Sequence, residues 1–477
     1  MKKSCKGDMY ERRKMQKTIR SRFFGDKKFY MMILAIAVPI MIQNGITNFV
    51  SLLDNIMVGR IGTEQMTGVA IVNQLIFVYN LCIFGGVSGA GIFTAQYFGN
   101  KDNKGVANTM RYKLILSIIL TALAVFVLLI FGQPLIQMYL NGNQDGGDAA
   151  AALIYGWKYL LIMLIGLPAF MMVQVYASTL RECGQTLLPM KAGIAAVLIN
   201  LVFNYLLIYG NFGFPKLGVM GAAAATVLSR YIEALIIIIW THKHTDVNPY
   251  IKGIYKSLRI PPRLVKKILI KGSPLLINET LWSVGTAMLL QCYSVRGMNV
   301  VAGMNISNTI NNVFNVVFIA LGDSVAIVVG QLLGAGKMEE AKDTDTKMIT
   351  FSVLCCTGVA ICMFLLSPLF PKLYNTSDLS KELARYFIAI YAVFMPQNAF
   401  LHSAYFTLRS GGRTIITFFF DCGFMICISV PMAYILGHFT SMHVVPMFIC
   451  VNLADFIKCV VGYVLIKKGI WLNNIVD

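Results

Sequence analysis

A few polar side chains interrupt the long apolar runs of this sequence, and their types suit a small cation. Asp54 supplies carboxylate oxygens, which bind a hard cation such as Na⁺ or accept a proton. Asn200 and Asn204 are four residues apart, so a helix places both amides on one face. Thr226 adds a hydroxyl. Oxygens of these kinds around one carboxylate predict a Na⁺ site that is neutral overall.

Each of these residues also has a purely structural interpretation. Asp54 can cap or pair at the end of its helix, near the membrane interface. The two asparagines can join neighbouring helices by hydrogen bonds, which is a common use of Asn in membranes. A carboxylate within an apolar span is costly, however, so a functional role is the first hypothesis for Asp54.

Further polar residues are candidates for contacts with a substrate. Glu279 lies in the seventh apolar run, where its carboxylate suits either a coupling cation or a cationic substrate. The other candidates are amides within apolar runs, namely Gln43, Asn44, Asn305 and Asn398. Hydrogen bonding between helices explains the amides of the eighth run equally well.

Two pairs of opposite charges are spaced for local ion pairs, and we assign them a structural role. Arg230 and Glu233 are three residues apart, as are Asp455 and Lys458, which places each pair on one helix face. Asp421 has no partner that is visible in the sequence.

The composition shows that lipid, and not water, solvates much of this chain. Hydrophobic residues make up 57%, charged residues only 13%, and the mean hydropathy is +0.67. Roughly 20 apolar residues in a helix cross the hydrocarbon core. Such runs predict an all-α membrane protein with twelve transmembrane helices, at 31–57, 66–96, 113–136, 153–178, 187–210, 218–240, 268–295, 301–331, 348–370, 384–408, 414–437 and 441–466. Continuous runs also exclude a barrel, whose strands alternate.

The net charge of +19 has a topological explanation that needs no nucleic acid as partner. Basic residues concentrate in the N-terminal segment and in the even-numbered loops, whereas the opposite loop 137–152 has none. This is the positive-inside pattern, and it predicts a multi-pass cell-membrane protein with both termini in the cytoplasm. The basic side then faces the anionic headgroups of the bilayer.

The sequence repeats itself in order. Pro168 and Arg181 recur as Pro396 and Arg409, both within Pro-x12-Arg, and each arginine lies in Leu-Arg-x-x-Gly-x-Thr, with an offset of 228. Gln96-x-x-Gly99 recurs as Gln331-x-x-Gly334 with an offset of 235, and Pro39 recurs as Pro274 with the same offset. The repeat predicts two pseudo-symmetric six-helix lobes, which enter the membrane from the same face and enclose a cavity.

The predicted segments follow from this repeat. A basic cytoplasmic segment, 1–30, precedes the N-lobe at 31–240. A cytoplasmic linker at 241–267 leads to the C-lobe at 268–466, and the tail is 467–477.

These residues resemble the multidrug and toxic compound extrusion (MATE) family over almost the whole chain. The similar stretches are Pro39 to Asn44, Asp54-x4-Gly59-x2-Gly62, Gly89-Ala90-Gly91, Gln96 to Gly99, Pro274 with Asn278-Glu279, both Leu-Arg-x-x-Gly-x-Thr turns, and Trp471 to Asn474. The resemblance implies two lobes in a V and antiport of organic, often cationic, compounds against Na⁺ or H⁺. It implies no cofactor other than this coupling ion.

The resemblance also implies roles for individual residues. It places the family's coupling aspartate at Asp54, a possible Na⁺ ligand, and a glutamate of the family's second cation site at Glu279. Where some members have a second acid, this chain has Asn204 and Asn398. We expect the protein to function as a monomer.

Three other functions compete with this interpretation. A flippase for lipid-linked oligosaccharides, from the same superfamily, would line its cavity with several Arg or Lys residues, and the apolar runs contain few. A membrane-embedded enzyme would need a catalytic set or metal spacing, and the sequence has neither. An ATP-driven pump would need a phosphate-binding loop, which does not occur.

Overall fold

The computed structural model describes residues 23–59, 61–141, 149–374 and 376–476; at 50–56, 59, 63 and 141 it describes the backbone alone. Twelve long helices follow one another along these residues, as the apolar runs predict. They are α1 (Lys27–Gly59), α2 (Thr63–Gly99), α3 (Asn103–Asn141), α4 (Ala149–Glu182), α5 (Leu187–Tyr209), α6 (Val219–Lys243), α7 (Pro262–Ser294), α8 (Met298–Gly334), α9 (Met338–Leu366), α10 (Asp378–Ser410), α11 (Thr414–His438) and α12 (Val444–Lys467).

Ten of the helices in the described residues are long and apolar enough to cross a membrane. The two that are not among them, α7 and α10, carry polar groups in their middles. In α7 these are Asn278 and Glu279, and in α10 they are Gln397, Asn398 and His402. Polar groups here interrupt the apolar surface that lipid would contact, which is typical of helices that line a wet interior.

Most helices extend beyond the predicted spans because their ends are polar and leave the apolar run. α3 begins at Asn103 and not at 113, and α9 begins at Met338 and not at 348. Its first turns carry charged residues that favour helix but not lipid. The predicted end at 370 was wrong: α9 ends at Leu366, and the chain continues through a 3-10 turn at Phe370–Leu373. Pro368 and Pro371 lack the N–H that a longer helix would use.

The two Leu-Arg-x-x-Gly-x-Thr segments fold into the same turn. Gly184 and Gly412 both adopt left-handed backbone, with φ of 81° and 71°, which a side chain would strain. The N–H of Gln185 donates to the Leu180 carbonyl at 2.8 Å, and the N–H of Arg413 donates to that of Leu408 at 3.2 Å. Equivalent hydrogen bonds at an offset of 228 show that the sequence repeat is a structural repeat.

The chain divides into two compact units whose boundaries fall inside helices. Among the described residues, the first unit comprises Ile42–Leu281, and the second comprises those up to Met41 together with those from Trp282 onward. The boundaries therefore lie within α1 and α7, whereas the sequence repeat places them in the linker 241–267. Compactness and repetition thus divide the chain at different places.

The linker after α6 is part of the first unit's core. Tyr250, Ile251 and Ile254 are at most 2% exposed and pack in its main apolar cluster. Arg111 of α3 holds the linker from outside, because its Nε donates to the Ile254 carbonyl at 2.9 Å. Tyr250 lies beside Cys183 in this cluster, and burial raises the pKa of both groups.

The tail after α12 packs into the second unit, as the linker does into the first. Trp471 is fully buried, and the Nδ2 of Asn473 donates to the Gly411 carbonyl at 3.3 Å. Arg413 Nε donates to the Ile470 carbonyl at 2.8 Å. The tail is thereby fixed against the turn between α10 and α11.

Candidate functional site

Three of the predicted site residues meet between α5 and α6. The Nδ2 of Asn200 donates to Thr226 Oγ1 at 3.2 Å, and the Nδ2 of Asn204 donates to Asn200 Oδ1 at 3.1 Å. Both asparagines are buried, at 5% and 1% exposure. Thr226 in turn donates to the Ala222 carbonyl at 3.0 Å. Three oxygen-bearing side chains thus converge in the spanning part of the first unit, and they also join two helices.

Asp54 lies on α1, but its side chain is outside the described part of the structure. The helix position is fixed by Tyr209, whose hydroxyl donates to the Met57 carbonyl at 3.1 Å. If consecutive helices alternate in direction across the membrane, α1 and α5 run the same way. With a rise of about 1.5 Å per residue, Asp54 is about 4.5 Å before Met57 and Asn204 about 7.5 Å before Tyr209. The two residues therefore occupy similar depths.

Gln43 lies beside a carboxylate that the sequence analysis assigned to structure. A Cβ added to Gly193 of α5 would be 3.4 Å from Gln43 Nε2 and 3.6 Å from Glu233 Oε1. Glu233 is 2% exposed and forms the predicted ion pair with Arg230 at 2.8 Å, which is confirmed. The small residue at 193 lets the amide and the carboxylate approach α5 closely.

Glu279 and Asn44 are half-buried on α7 and α1. The first turns of α7 pack tightly on α2, since a Cβ added to Gly89 would lie 2.6 Å from the Cα of Gly272. Glu279 follows this contact by two helical turns. The contact fixes the start of α7, and with it the course of the helix toward Glu279, within the first unit.

The predicted amides of the second unit are separate. Asn305 is exposed on α8 and Asn398 is half-buried on α10, and no hydrogen bond joins them among the residues that the structure describes. The neighbouring Asn308 accepts a hydrogen bond from the Tyr391 hydroxyl at 3.0 Å, which ties α8 to α10. At least this amide of the eighth run serves helix packing.

One predicted ion pair was wrong. Lys458 Nζ pairs with Asp421 Oδ1 of α11 at 2.7 Å, and not with Asp455 one turn away on its own helix. The spacing of three along α12 correctly places Asp455 near Lys458, but it does not identify the carboxylate that pairs with Lys458. Asp421 was left without a partner by the sequence because its partner lies on the neighbouring helix.

Sequence reasoning missed a buried ion pair in the first unit. Lys113 of α3 is fully buried and bonds Glu182 Oε2 of α4 at 2.5 Å and Thr179 Oγ1 at 3.3 Å. In the second unit, Thr407 donates to the buried Asp345 at 2.5 Å. Thr179 and Thr407 are equivalent at the offset of 228, so the sequence repeat marks these two positions as candidates for a shared structural role.

Comparison with known proteins agrees with this architecture. The MatE family profile matches twice, at residues 39–206 and 274–435, so that the matches begin 235 residues apart, as the two prolines do. Two halves of six membrane-spanning helices each, together with this profile match, define the class of protein, which is a membrane transporter. The chain belongs to the MatE family.

Relatives and solved structures are similar over most of the chain. A probable multidrug resistance protein of Thermotoga maritima is 28% identical, covering 81% of this chain and 82% of its own. One of Bacillus subtilis is 24% identical, covering 85% and 87%. The outward-facing structure of a multidrug resistance MATE family transporter covers 94% of this chain and 97% of its own, with 20% identity and a TM-score of 0.82, which shows the fold.

Proposed function

We propose that the protein is a secondary active exporter of small organic, often cationic, compounds, driven by exchange for Na⁺ or H⁺. The names of its relatives support multidrug efflux as the activity. The observation that carries the coupling is the buried cluster of Asn200, Asn204 and Thr226 at the depth of Asp54. Amide, hydroxyl and carboxylate oxygens are ligands of hard cations, and Asp54 is then the possible Na⁺ ligand.

Exchange follows from competition between the coupling cation and the substrate. If cation binding at Asp54 lowers substrate affinity, substrate must lower cation affinity by the same factor. Alternating access of the two halves then exports substrate on one step, and the ion gradient drives the return step. We place Glu279, Gln43, Asn44, Asn305 and Asn398 as candidate contacts for the substrate, with Glu279 as a second candidate for the coupling cation.

Charge pairing in the spans disfavours the lipid-linked oligosaccharide flippase. Lys113, Arg230 and Lys458 each form an ion pair with a carboxylate at 2.5–2.8 Å. A pyrophosphate would have to compete with these carboxylates for each cation. We also propose a cell-membrane location with cytoplasmic termini, from the charge distribution, and function as a monomer.

Ethidium efflux from proteoliposomes, with imposed Na⁺ or proton gradients, tests the proposal. We expect efflux with one gradient only, and its loss in Asp54→Asn. Asp378→Asn is the matched control, because Asp378 is exposed in the first turn of α10. Wild-type protein that exports no cation of a panel would contradict the proposal and favour the flippase.

A further inference from the structure

Helix α11 departs from α-geometry in the region of Asp421. Phe419–Gly423 and Met425–Ser429 are π-helical, and Pro431 lies two residues after the second of these segments. Proline has no N–H to give, and its ring crowds the preceding turn, which favours such a widened segment. In a π-helix, residues five apart hydrogen-bond along the axis, so Phe419 and Phe424 come onto one side of α11.

A cavity of about 250 Å³ lies on this side of α11, against α12. Its walls include the rings of Phe419, Phe420 and Phe424, and Lys458 is its charged residue. Phe419 is 65% exposed, which leaves the cavity open beside its ring. The cavity therefore offers aromatic surface and an entrance.

The cavity already holds an organic ammonium, that of Lys458. Its Nζ lies 5.3 Å from the centre of the Phe420 ring and 2.7 Å from Asp421 Oδ1. An aromatic face with a carboxylate is a common recognition set for alkylated ammonium groups. The side chains of Asp421 and Lys458 are 23% and 13% exposed, and Lys458 and Phe420 line the cavity directly.

Carboxyl groups outnumber the ammonium in this cluster. Asp455 of α12 acts electrostatically on both Lys458 and Asp421. Cys422 of α11 and His402 of α10 also interact electrostatically with members of the pair, and Arg409 acts on His402. Asp455 thus gives Lys458 a second carboxyl group, on its own helix, with which it can pair.

We propose that Asp421, Phe420 and the adjoining cavity bind a lipophilic organic cation, whose positive centre takes the place of the Lys458 ammonium. This inference rests on the proposed function and names a binding site for its substrate class on α11 and α12. Lys458 is then a tethered competitor: it satisfies Asp421 when the site is empty and turns to Asp455 when a ligand enters.

Competition of this kind has a signature that a structural ion pair lacks. Lys458→Met should tighten binding of ethidium and tetraphenylphosphonium, because Asp421 and Phe420 lose their resident cation. Asp421→Asn should weaken binding. We expect the dissociation constant to change about tenfold in each direction, which is the scale of one cation–π contact or charge-assisted hydrogen bond. Lys467→Met is the matched control, since Lys467 of α12 lies 5.8 Å from the Tyr463 ring and outside the cavity.

The measurement is ethidium fluorescence anisotropy on the purified full chain, with thermal unfolding of every variant. Lys458→Gln, which keeps a polar chain, replaces Lys458→Met if the latter unfolds. Weakened binding in both single variants, with recovery of stability in the double variant, would mean a structural pair and overturn the inference. The inference would also be overturned if Asp421→Asn bound an anionic dye more tightly and Lys458→Met no longer bound that dye.

Efflux by the wild type separates this inference from the proposed function. Ethidium efflux that persists while Lys458→Met and Asp421→Asn leave ethidium affinity unchanged overturns the inference alone. Wild-type protein that neither binds nor exports any of the cations overturns both.

Discussion

Single residues show how this protein holds charge inside its helix bundle. Lys113 is fully buried, and its ammonium has Glu182, Ser178 and Thr179 as hydrogen-bond partners. Removing two ions from water costs several kcal/mol each, which a pair recovers only with good geometry. The pair is thus a poor source of stability as a whole, although either charge alone would be severely destabilising.

Lys113→Met should therefore lower the free energy of unfolding by about 3–5 kcal/mol, because it leaves a carboxylate without its cation. Adding Glu182→Gln should restore most of the loss. Thermal unfolding of the purified protein checks both, with Lys104→Met on an exposed position of α3 as control. Equal losses that add in the double variant would contradict the argument.

The cation site permits a matched comparison of two threonines on α6. Thr226 and Thr241 each donate to the carbonyl four residues earlier, but Thr226 also accepts from Asn200. Thr226→Val should raise the half-saturating concentration of the coupling ion about threefold to tenfold, the scale of a hydrogen bond. Thr241→Val should not change it. Ion-dependent ethidium efflux measures both, and equal effects would remove Thr226 from the site.

At the scale of elements, the sequence predicts the twelve helices well because lipid demands long apolar runs. The ends were less predictable: charged turns such as those of α9 are helical but fall outside the run. The sequence could not predict the pairing of Asp421 with Lys458. The direction of the Asp421 side chain depends on the π-helical turns of α11, which the sequence pattern does not indicate. For Asn200, Asn204 and Thr226 the spacing sufficed, since two residues share a face and the third lies on the next helix.

The linker is an element whose attachment can be tested. Tyr250 covers Cys183, and burial raises the pKa of this thiol, so its reactive thiolate is scarce at neutral pH. Arg111→Ala should loosen the linker and increase maleimide labelling of Cys183 severalfold, as read by peptide mass spectrometry. Lys104→Ala serves as control. Unchanged labelling would mean that apolar packing alone holds the linker.

At the scale of the whole molecule, each half is closed by the segment that follows its sixth helix. Cys183 and Gly411 are equivalent at the offset of 228. Tyr250 of the linker covers the first, and Trp471 of the tail packs on the second. Both aromatic residues are at most 2% exposed.

Trp471→Ala should consequently destabilise the protein by about 3–5 kcal/mol, the usual loss for a buried tryptophan. Lys468→Ala, at an exposed position three residues earlier, should have little effect. Thermal unfolding in detergent measures both. A melting temperature that Trp471→Ala leaves unchanged would show that the tail contributes nothing to the second unit.

The shared place of linker and tail bears on how such a chain arose. Duplication of a unit made of six helices and a following aromatic segment would leave one copy of that segment between the halves and one after the second half. Residues 244–256 then correspond to the first copy of that segment, and the tail with Trp471 corresponds to the second. The connection between the two copies is then short: the exposed stretch 257–259, Ile260 and Pro261, after which α7 begins at Pro262.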